Sequence, residues 1–173
     1  RRDMPENIFN QEFECEFLQG GSGVFKRIEE NILNKPLKIK NNRQYRLGVD
    51  LAKSQDWTVI TPVDLHTWQV GTQERFNQID YPLQEAKIES EYLRYNKPKV
   101  VVDATGIGEP ICDHLEERNI DIERIKITEE KRMQLLQNLA IKIEQGKIKL
   151  PADETLIKEM KAMRYELSET RKS

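Results

Sequence analysis

Residues 45–64 read YRLGVDLAKSQDWTVITPVD, two apolar runs on either side of a polar spacer. The runs at 45–51 and 57–64 are rich in β-branched and aromatic residues, so each predicts a strand. A third strand is predicted over 67–76, where large side chains alternate with polar ones. These alternating side chains are Trp68, Val70, Thr72 and Phe76. The short spacers favour an antiparallel meander, in which Pro62 must sit at a bulge or a strand end because it lacks an N–H.

Helical and strand patterns alternate along the rest of the chain. The predicted elements are a helix from Pro82 to about Tyr95, a strand at Lys99–Asp103, a helix from about Ile107 to Arg118, a strand at Arg124–Ile127, a helix between the cap Thr128 and the stop Gly146, and a helix from Asp153 to about Leu167. The core faces predicted for three of these helices are Leu83, Ala86 and Leu93; Met133, Leu136, Ala140 and Ile143; and Leu156, Met160, Met163 and Leu167. The order βββαβαβα, with antiparallel strands before the parallel ones, defines the α/β ribonuclease H-like architecture, a mixed five-stranded sheet flanked by helices.

A helical and linking segment, residues 1–44, is predicted to precede this core, which occupies 45–173. Phenylalanines recur at helical spacing over 5–17, a glycine-rich break follows, and Val24–Leu33 predicts a short second helix. Residues 26–46 carry seven basic residues against two acidic ones. This basic stretch is compatible with a path along DNA, with contact to a neighbouring domain, or with a solvated linker.

Composition limits the classes of protein to consider. Of the 173 residues, 37% are hydrophobic, which is enough for one buried core, and the net charge of −2 argues against a strongly basic arm. No apolar run approaches the ~18 residues that a membrane span needs, so no membrane association is predicted. Cys15 and Cys112 lie far apart without a CxxC pattern, which excludes a structural zinc site and favours a reduced, cytosolic setting. The chain opens on Arg1 rather than Met, so we expect a piece of a longer protein.

Two aspartates follow apolar strands of this predicted sheet. Asp50 ends the first strand and Asp103 ends the fourth, and the two strands are parallel neighbours in this architecture. Their carboxylates should therefore converge at the carboxyl edge of the sheet. Carboxylates held together repel each other, and Mg²⁺ or Mn²⁺ relieves that repulsion; a pair of ions would promote phosphodiester hydrolysis. The alternative is that each Asp only caps the turn after its strand.

The sequences around both acids resemble one protein family. Residues 48–58 read GVDLAKSQDWT and residues 100–108 read VVVDATGIG. They resemble the nuclease domain of the large terminase subunit of tailed double-stranded DNA phages, whose pattern has Gly-x-Asp-x-Ala and an apolar strand with Asp followed by Thr-Gly-x-Gly. The resemblance extends to 10–25, similar to the segment that joins the motor ATPase to the nuclease, and to 131–151, similar to a lysine-led helix, a Gly, a short strand and a Pro.

This resemblance implies a two-metal-ion endonuclease that cuts concatemeric double-stranded DNA during genome packaging in the host cytoplasm. It also implies an ATPase domain in the full-length protein, with small terminase and portal as partners. No Gly-x-x-x-x-Gly-Lys-Ser/Thr pattern is present, so this chain alone is not expected to hydrolyse ATP. The family's third acidic cluster has no counterpart before Ser173. We therefore expect the third metal-binding carboxylate beyond that residue, weak ion binding and poor cleavage by 1–173, and solvent-facing Glu166 and Glu169.

Further residues near the acids have both a functional and a structural interpretation. Asp56 is a carboxylate close to the metals by the resemblance, or a solvated residue entering a hairpin. The candidate DNA contacts are Lys53, Thr105, Lys131 and Arg132. The three basic ones are equally compatible with ordinary surface, and Thr105 with a plain strand-to-helix turn. His66 and His114 are isolated in the sequence, and neither is expected to bind metal.

Three rival functions remain open. Another nuclease of the same fold, such as a resolvase or a transposase-like enzyme, shares the acid pair. A non-catalytic domain that docks on DNA or on the portal would share the fold without the chemistry. A sugar-kinase or actin-like ATPase shares the opening strands, but it needs two such lobes to enclose a nucleotide. Metal-dependent nicking of plasmid distinguishes the first possibility from the other two.

Overall fold

A computed structural model describes residues 23–52, 56–104 and 108–164. The strands are β1 (Ile32–Leu33), β2 (Tyr45–Asp50), β3 (Thr58–Asp64), β4 (Gln69–Val70), β5 (Glu74–Phe76), β6 (Lys99–Asp103), β7 (Ile122–Ile125) and β8 (Leu150–Pro151). The helices are α1 (Tyr81–Arg94), α2 (Gly108–Glu117), α3 (Glu129–Glu144) and α4 (Glu154–Ala162). The predicted helix over 5–17, together with Lys53, Thr105, Glu166 and Glu169, lies outside the described residues.

The main sheet has the predicted mixed order. Its strands run β4-β3-β2-β6-β7, and β5 also pairs with β3. The pair β2–β3 is antiparallel, whereas β2–β6 and β6–β7 are parallel. This arrangement confirms the ribonuclease H-like fold, with β2 and β6 as neighbours in the centre of the sheet.

The predicted third strand is divided into β4 and β5. Val63 pairs with Val70 and Ile60 pairs with Glu74, so two residues of β3 face three residues of the opposing chain. This one-residue excess is a bulge, and it lies opposite Pro62, whose carbonyl accepts a hydrogen bond from the Gly71 N–H. Because the N and C=O of a strand residue point to the same side, the missing N–H of Pro62 faces the bulge and not the central strand β2. The sheet therefore has six strands, two of them short, in place of five.

The first face of the sheet packs against α1 and α2. The core there includes Leu47, Val49, Ile60, Ile88, Val100, Val102, Ile111, Cys112 and Leu115, all less than 5% exposed. Helix α1 begins at the cap Asp80, whose side chain accepts from the Leu83 N–H. It ends before Asn96 and Lys97, which both adopt left-handed backbone conformations that an α-helix cannot continue.

The predicted core face of α1 is wrong. Leu83 and Leu93 are 48% and 57% exposed, and Ala86 is exposed as well. The helix instead buries polar residues that find partners on neighbouring elements. Buried Glu85 accepts a hydrogen bond from Arg118, which directly follows α2, and it is within 2.8 Å of His114 on α2. Because separating a buried carboxylate from its partners is costly, the helix keeps the orientation that buries Glu85, and Leu83 and Leu93 stay exposed.

A second core lies on the other side of the sheet, around α3 and α4. It contains Val24, Phe25, Ile28, Ala140, Ile143, Ile148, Leu150 and Met160. Helix α3 has the predicted cap, because Thr128 accepts from the Lys131 N–H, and the predicted stop, because Gly146 has a φ of 69°. The strands β1 and β8 pair in parallel beside this core.

The predicted helix over Val24–Leu33 is wrong. Arg27 has a φ of 58°, and only a 3-10 turn at Glu29–Asn31 follows it before β1. The buried side chain of Asn31 explains the turn, because it donates to the carbonyls of Arg27 and Ile143 and so ties this segment to the end of α3. The apolar residues of this segment do not form one helical face. Val24, Phe25 and Ile28 belong to the second core, whereas Ile32 and Leu33 pair with β8.

The last helix is shorter than predicted. It ends at Ala162, and Met163, expected in the core, is extended and exposed. The Met163 carbonyl accepts from the Val24 N–H, and Gly23 forms a β-bridge with Arg164. The first and last described residues therefore lie side by side. Among the residues that the structure describes, no helix is long and apolar enough to cross a membrane.

Candidate metal centre

The two predicted acids lie next to each other at the edge of the sheet. Val49 of β2 pairs in parallel register with Val102 of β6, so the following residues, Asp50 and Asp103, are neighbours at the ends of these strands. Adjacent strands are ~4.8 Å apart, which is the right spacing for two carboxylates to share a cation. Asp50 is exposed and Asp103 is half-buried, so the pair is open to a ligand from solvent.

The electrostatics of Asp50 show which charges surround it. The pKa of Asp50 is raised above its ordinary value, first by loss of hydration at the sheet edge and then by the negative charge of Asp103. Asp56 raises this pKa further, while the positive charge of Arg132 lowers it. The charges of Asp56 and Arg132 therefore act on Asp50, while their roles at a metal or at DNA stay predictions. Hard carboxylate oxygens that repel each other suit a divalent cation such as Mg²⁺ or Mn²⁺.

This repulsion predicts that Asp50→Asn makes the metal-free protein more stable. Because the folded-state pKa of Asp50 is raised, its ionised form costs stability at every pH above that pKa, and protonation at low pH removes the cost. We expect a rise of ~2 °C in the melting temperature near pH 7 with chelator present, and a smaller rise below pH 4. The measurement is a thermal melt of both proteins at two pH values. Asp121→Asn, at an exposed carboxylate before β7, is the control, and an unchanged or lower melting temperature for Asp50→Asn would contradict the prediction.

The chain after Asp50 is held by a buried polar network that the sequence did not reveal. The Ala52 N–H donates to the hydroxyl of Thr58, and this hydroxyl donates to the side-chain oxygen of Gln84 on α1. Gln84 in turn donates to the Ile79 carbonyl. Thr58 and Gln84 are both buried, so the network fixes the start of the loop that follows the first acid. A Gln on a predicted polar helix face carried no signal for this role.

A close approach also fixes the chain after Asp103. Gly108 begins α2, and a Cβ built there would lie 2.6 Å from the carbonyl oxygen of Asp103. No side chain fits at that distance, so glycine lets the helix start directly behind the acid. The second Gly of the Thr-Gly-x-Gly segment therefore has a packing role, whereas Thr105 itself lies outside the described residues.

The remaining predicted residues lie at different distances from the acid pair. Arg132 and Lys131 are exposed in the first turn of α3, and the Arg132 side chain also contacts Glu129 at 3.4 Å. Lys53 is outside the described part of the chain. His114 is not isolated, as the sequence had indicated, because it contacts buried Glu85, whose charge raises the pKa of the imidazole. Within 23–52, 56–104 and 108–164, no three His, Cys, Asp or Glu side chains converge as a metal-binding group.

A cavity of about 290 Å³ lies beside Asp56 and the chain that follows Asp50. Its lining includes Ala52, Asp56, Thr58, Tyr81 and Gln84. The cavity is bounded by the same network that holds the chain after Asp50. Sequence reasoning placed Asp56 near the acids but gave no sign of this concavity, which needs the turn at 77–80 to close it.

The chain is similar to known proteins over most of its length. Residues 47–173 match the family model described as Terminase RNaseH-like domain. The large terminase subunit of Thermus phage G20c is 28% identical over 172 residues, which cover 94% of this chain and 36% of that protein. The chain therefore spans about a third of the length of that relative.

Two similar solved structures are of the large terminase nuclease from the same phage. The form with bound magnesium has a TM-score of 0.78 at 25% identity, over 87% of this chain and 85% of that chain. The form with bound zinc has a TM-score of 0.74 at 26% identity, over 82% of this chain and 88% of that chain. These chains share the arrangement of strands that brings Asp50 and Asp103 together here.

Proposed function

Because this chain belongs to the terminase RNaseH-like domain family, we propose that it is the metal-dependent endonuclease domain of a phage DNA-packaging protein. Its substrate is concatemeric double-stranded DNA, which it cleaves at the Asp50–Asp103 edge of the sheet. The observation that carries the proposal is the parallel register of β2 and β6, which makes these two carboxylates neighbours. The similarity to nucleases solved with magnesium and with zinc supports it.

The acidic residues at this edge of the sheet would bind metal, and the basic residues near it would bind phosphate. Asp50 and Asp103 would hold Mg²⁺ or Mn²⁺, and Asp56 would contribute charge close by. Bound ions of this kind supply Lewis-acid stabilisation and an activated water, two of them in the complete site. Two carboxylates fill few of the oxygen positions of such ions, so a third carboxylate beyond Ser173 stays a prediction.

Basic residues around the acids would position the DNA backbone. Arg132 is close enough to Asp50 to lower its pKa, so a phosphate held by this guanidinium lies beside the acid pair. Lys131 precedes it in the same exposed turn of α3. Lys53 and Thr105 stay predicted contacts. In the full-length protein, the partners we propose are an ATPase domain, the small terminase and the portal, in the host cytoplasm.

The direct test is cleavage of supercoiled plasmid by the purified chain. We expect nicked and linear products with Mn²⁺ or Mg²⁺, none with chelator, and no dependence on ATP. A parallel calorimetric titration with Mn²⁺ should show binding that is weak in this chain and lost when both acids are replaced. Failure to cleave together with failure to bind Mn²⁺ would leave a non-catalytic DNA-binding or portal-binding domain as the function.

Cleavage should be strongly salt-dependent and nearly indifferent to sequence. A nuclease that grips DNA through its phosphates releases counterions on binding, so affinity falls steeply with salt. Between 50 and 200 mM salt, a protein making six or more phosphate contacts loses about 10³-fold in affinity. Digestion of two unrelated plasmids at both salt concentrations measures both properties. A discrete cut site with little salt dependence would indicate a resolvase-like enzyme instead.

A further inference from the structure

An exposed tryptophan and an arginine form a stacked pair close to the acid pair. Trp57, just before β3, is 46% exposed, and the guanidinium of Arg75 on β5 lies 5.0 Å from the centre of its ring. An exposed aromatic ring with a cation on its face offers both an apolar surface and a charge to a ligand. Neither residue takes part in the cores or in the metal centre described above.

The strand register places this pair on the same side of the sheet as the acids. Asp50 pairs with Val59 of β3, and Val59 pairs with Arg75 of β5. Residues paired across strands share a face of the sheet, so Asp103, Asp50, Val59 and Arg75 form one row across it. With strands ~4.8 Å apart, the backbone of Arg75 is ~10 Å from that of Asp50. Phosphates one or two steps apart on a DNA strand are separated by about this distance, because they turn around the helix axis as well as advancing ~3.4 Å along it.

The guanidinium of Arg75 has donors to spare. One terminal nitrogen of Arg75 contacts Glu159 of α4 at 2.8 Å, and this is the one hydrogen bond that the Arg75 side chain makes with the described residues. A guanidinium has five N–H groups in a planar fork, and its contact with the face of the Trp57 ring leaves those groups available. The pair therefore presents an oriented cation beside an aromatic face, which is the combination that nucleic-acid backbones and unstacked bases bind.

We propose that Trp57 and Arg75 form a binding position for the backbone of double-stranded DNA, one or two nucleotides from the phosphate that is cleaved. Arg75 binds a phosphate, and Trp57 holds the guanidinium in place and contacts the adjoining sugar or base. This inference rests on the proposed function for its substrate. It concerns binding rather than catalysis, so the two can be tested separately.

The chain contains a matched control pair at the opposite end of β3. Trp68 is 44% exposed, and the ammonium of Lys142 lies 5.3 Å from the centre of its ring. The two tryptophans are therefore alike in exposure and in having a stacked cation, but only Trp57 is near the acids. They are also the only two tryptophans in the sequence, so each can report on its own surroundings by fluorescence.

The test measures binding of a fluorescent DNA duplex by anisotropy in chelator, where no cleavage occurs. We expect Arg75→Ala to weaken binding about fivefold and to reduce the slope of log affinity against log salt by ~0.9, the value for one phosphate contact. Lys142→Ala should change neither. Glu159→Gln keeps the cation and removes its protein partner, so binding should be unchanged or tighter. Equal weakening by Arg75→Ala and Glu159→Gln would show a merely structural role and overturn the proposal.

Tryptophan fluorescence gives an independent readout. In Trp68→Phe the only tryptophan is Trp57, and added duplex should quench its emission. In Trp57→Phe the only tryptophan is Trp68, and its emission should stay constant. Absence of quenching in Trp68→Phe, or of any effect of Arg75→Ala, overturns the contact, while cleavage of plasmid by the unmodified chain with Mn²⁺ still tests the proposed function by itself.

Discussion

In a protein that carries the full nuclease domain, replacement of either Asp50 or Asp103 by asparagine is expected to abolish metal-dependent DNA cleavage while leaving the fold intact. An amide keeps the shape of the carboxylate but not its charge, and these two groups are the ones that adjoin each other at the sheet edge. Loss of one anionic ligand removes several kcal/mol of metal-derived transition-state stabilisation, which corresponds to a decrease of about 10³-fold or more in rate. Plasmid digestion and Mn²⁺ titration measure the two consequences.

The matched control for this experiment is Asp121→Asn. Asp121 is an exposed aspartate at the start of the same parallel region, far from the carboxyl edge of the sheet, and its loss should leave cleavage and Mn²⁺ binding unchanged. Circular dichroism should show all three variants folded. Near-normal cleavage, or normal Mn²⁺ binding, by either active-site variant would refute the assignment of that aspartate.

Replacement of Arg43 by alanine is expected to cost ~3 kcal/mol of unfolding free energy, because it leaves a buried charge without its partner. The side chain of Asp64, at the end of β3, is 0% exposed and accepts a 2.6 Å hydrogen bond from Arg43. Its other oxygen accepts from the backbone N–H groups of His66 and Thr67. Urea denaturation measures the loss. Lys87→Ala, which breaks the exposed pair with Glu74, should cost under ~1 kcal/mol.

The pH dependence of this effect has a definite sign. Burial alone would raise the pKa of Asp64, but the hydrogen bonds from Arg43, His66 and Thr67 outweigh it and the net shift is downward. The stability that this carboxylate contributes is therefore complete above its ordinary pKa of 3.8 and is lost as the pH falls through the lower folded-state value. The difference in stability between wild type and Arg43→Ala should shrink as the pH falls below 4. A difference that is constant from pH 7 to pH 3 would contradict this account.

The sequence predicted the central sheet well because the strands that end in Asp50 and Asp103 have patterns typical of buried strands. The run ending in Asp103 is apolar and β-branched, and the run ending in Asp50 alternates Tyr45, Leu47 and Val49 with other residues, so the parallel pairing of the two strands followed from the order of elements. The third strand was harder to predict. Its alternation looked continuous, and only the missing N–H of Pro62 on the facing strand accounts for the bulge that divides it.

The prediction of the buried face of a helix was wrong where polar residues occupy the interior in place of apolar ones. The apolar stripe of α1 suggested that Leu83 and Leu93 were buried, but the burial of Glu85 depends on Arg118 and His114, which are about 30 residues away in the sequence. No periodicity reveals a partner at that distance. At the site, Asp50 and Asp103 were predicted from their places at strand ends, and Asp56 from the family resemblance. The contact between Trp57 and Arg75 was not predicted, because it depends on the pairing of β3 with the short strand β5.

The bridge between Gly23 and Arg164 has a mechanical consequence. A tensile load applied between these two residues would act first on that contact and on the Val24–Met163 hydrogen bond, and then on the short β1–β8 pair. The six-stranded sheet joins this path through its outer strand β4, which hydrogen-bonds to Lys149 beside β8, so β2 and β6, which carry the two acids, are loaded only after these contacts. Force applied at Gly23 and Arg164 would therefore disrupt the second core first, while β2 and β6 keep the register that places Asp50 beside Asp103. A domain built in this way can bear a moderate tensile load between these two residues without losing the alignment of its two carboxylates.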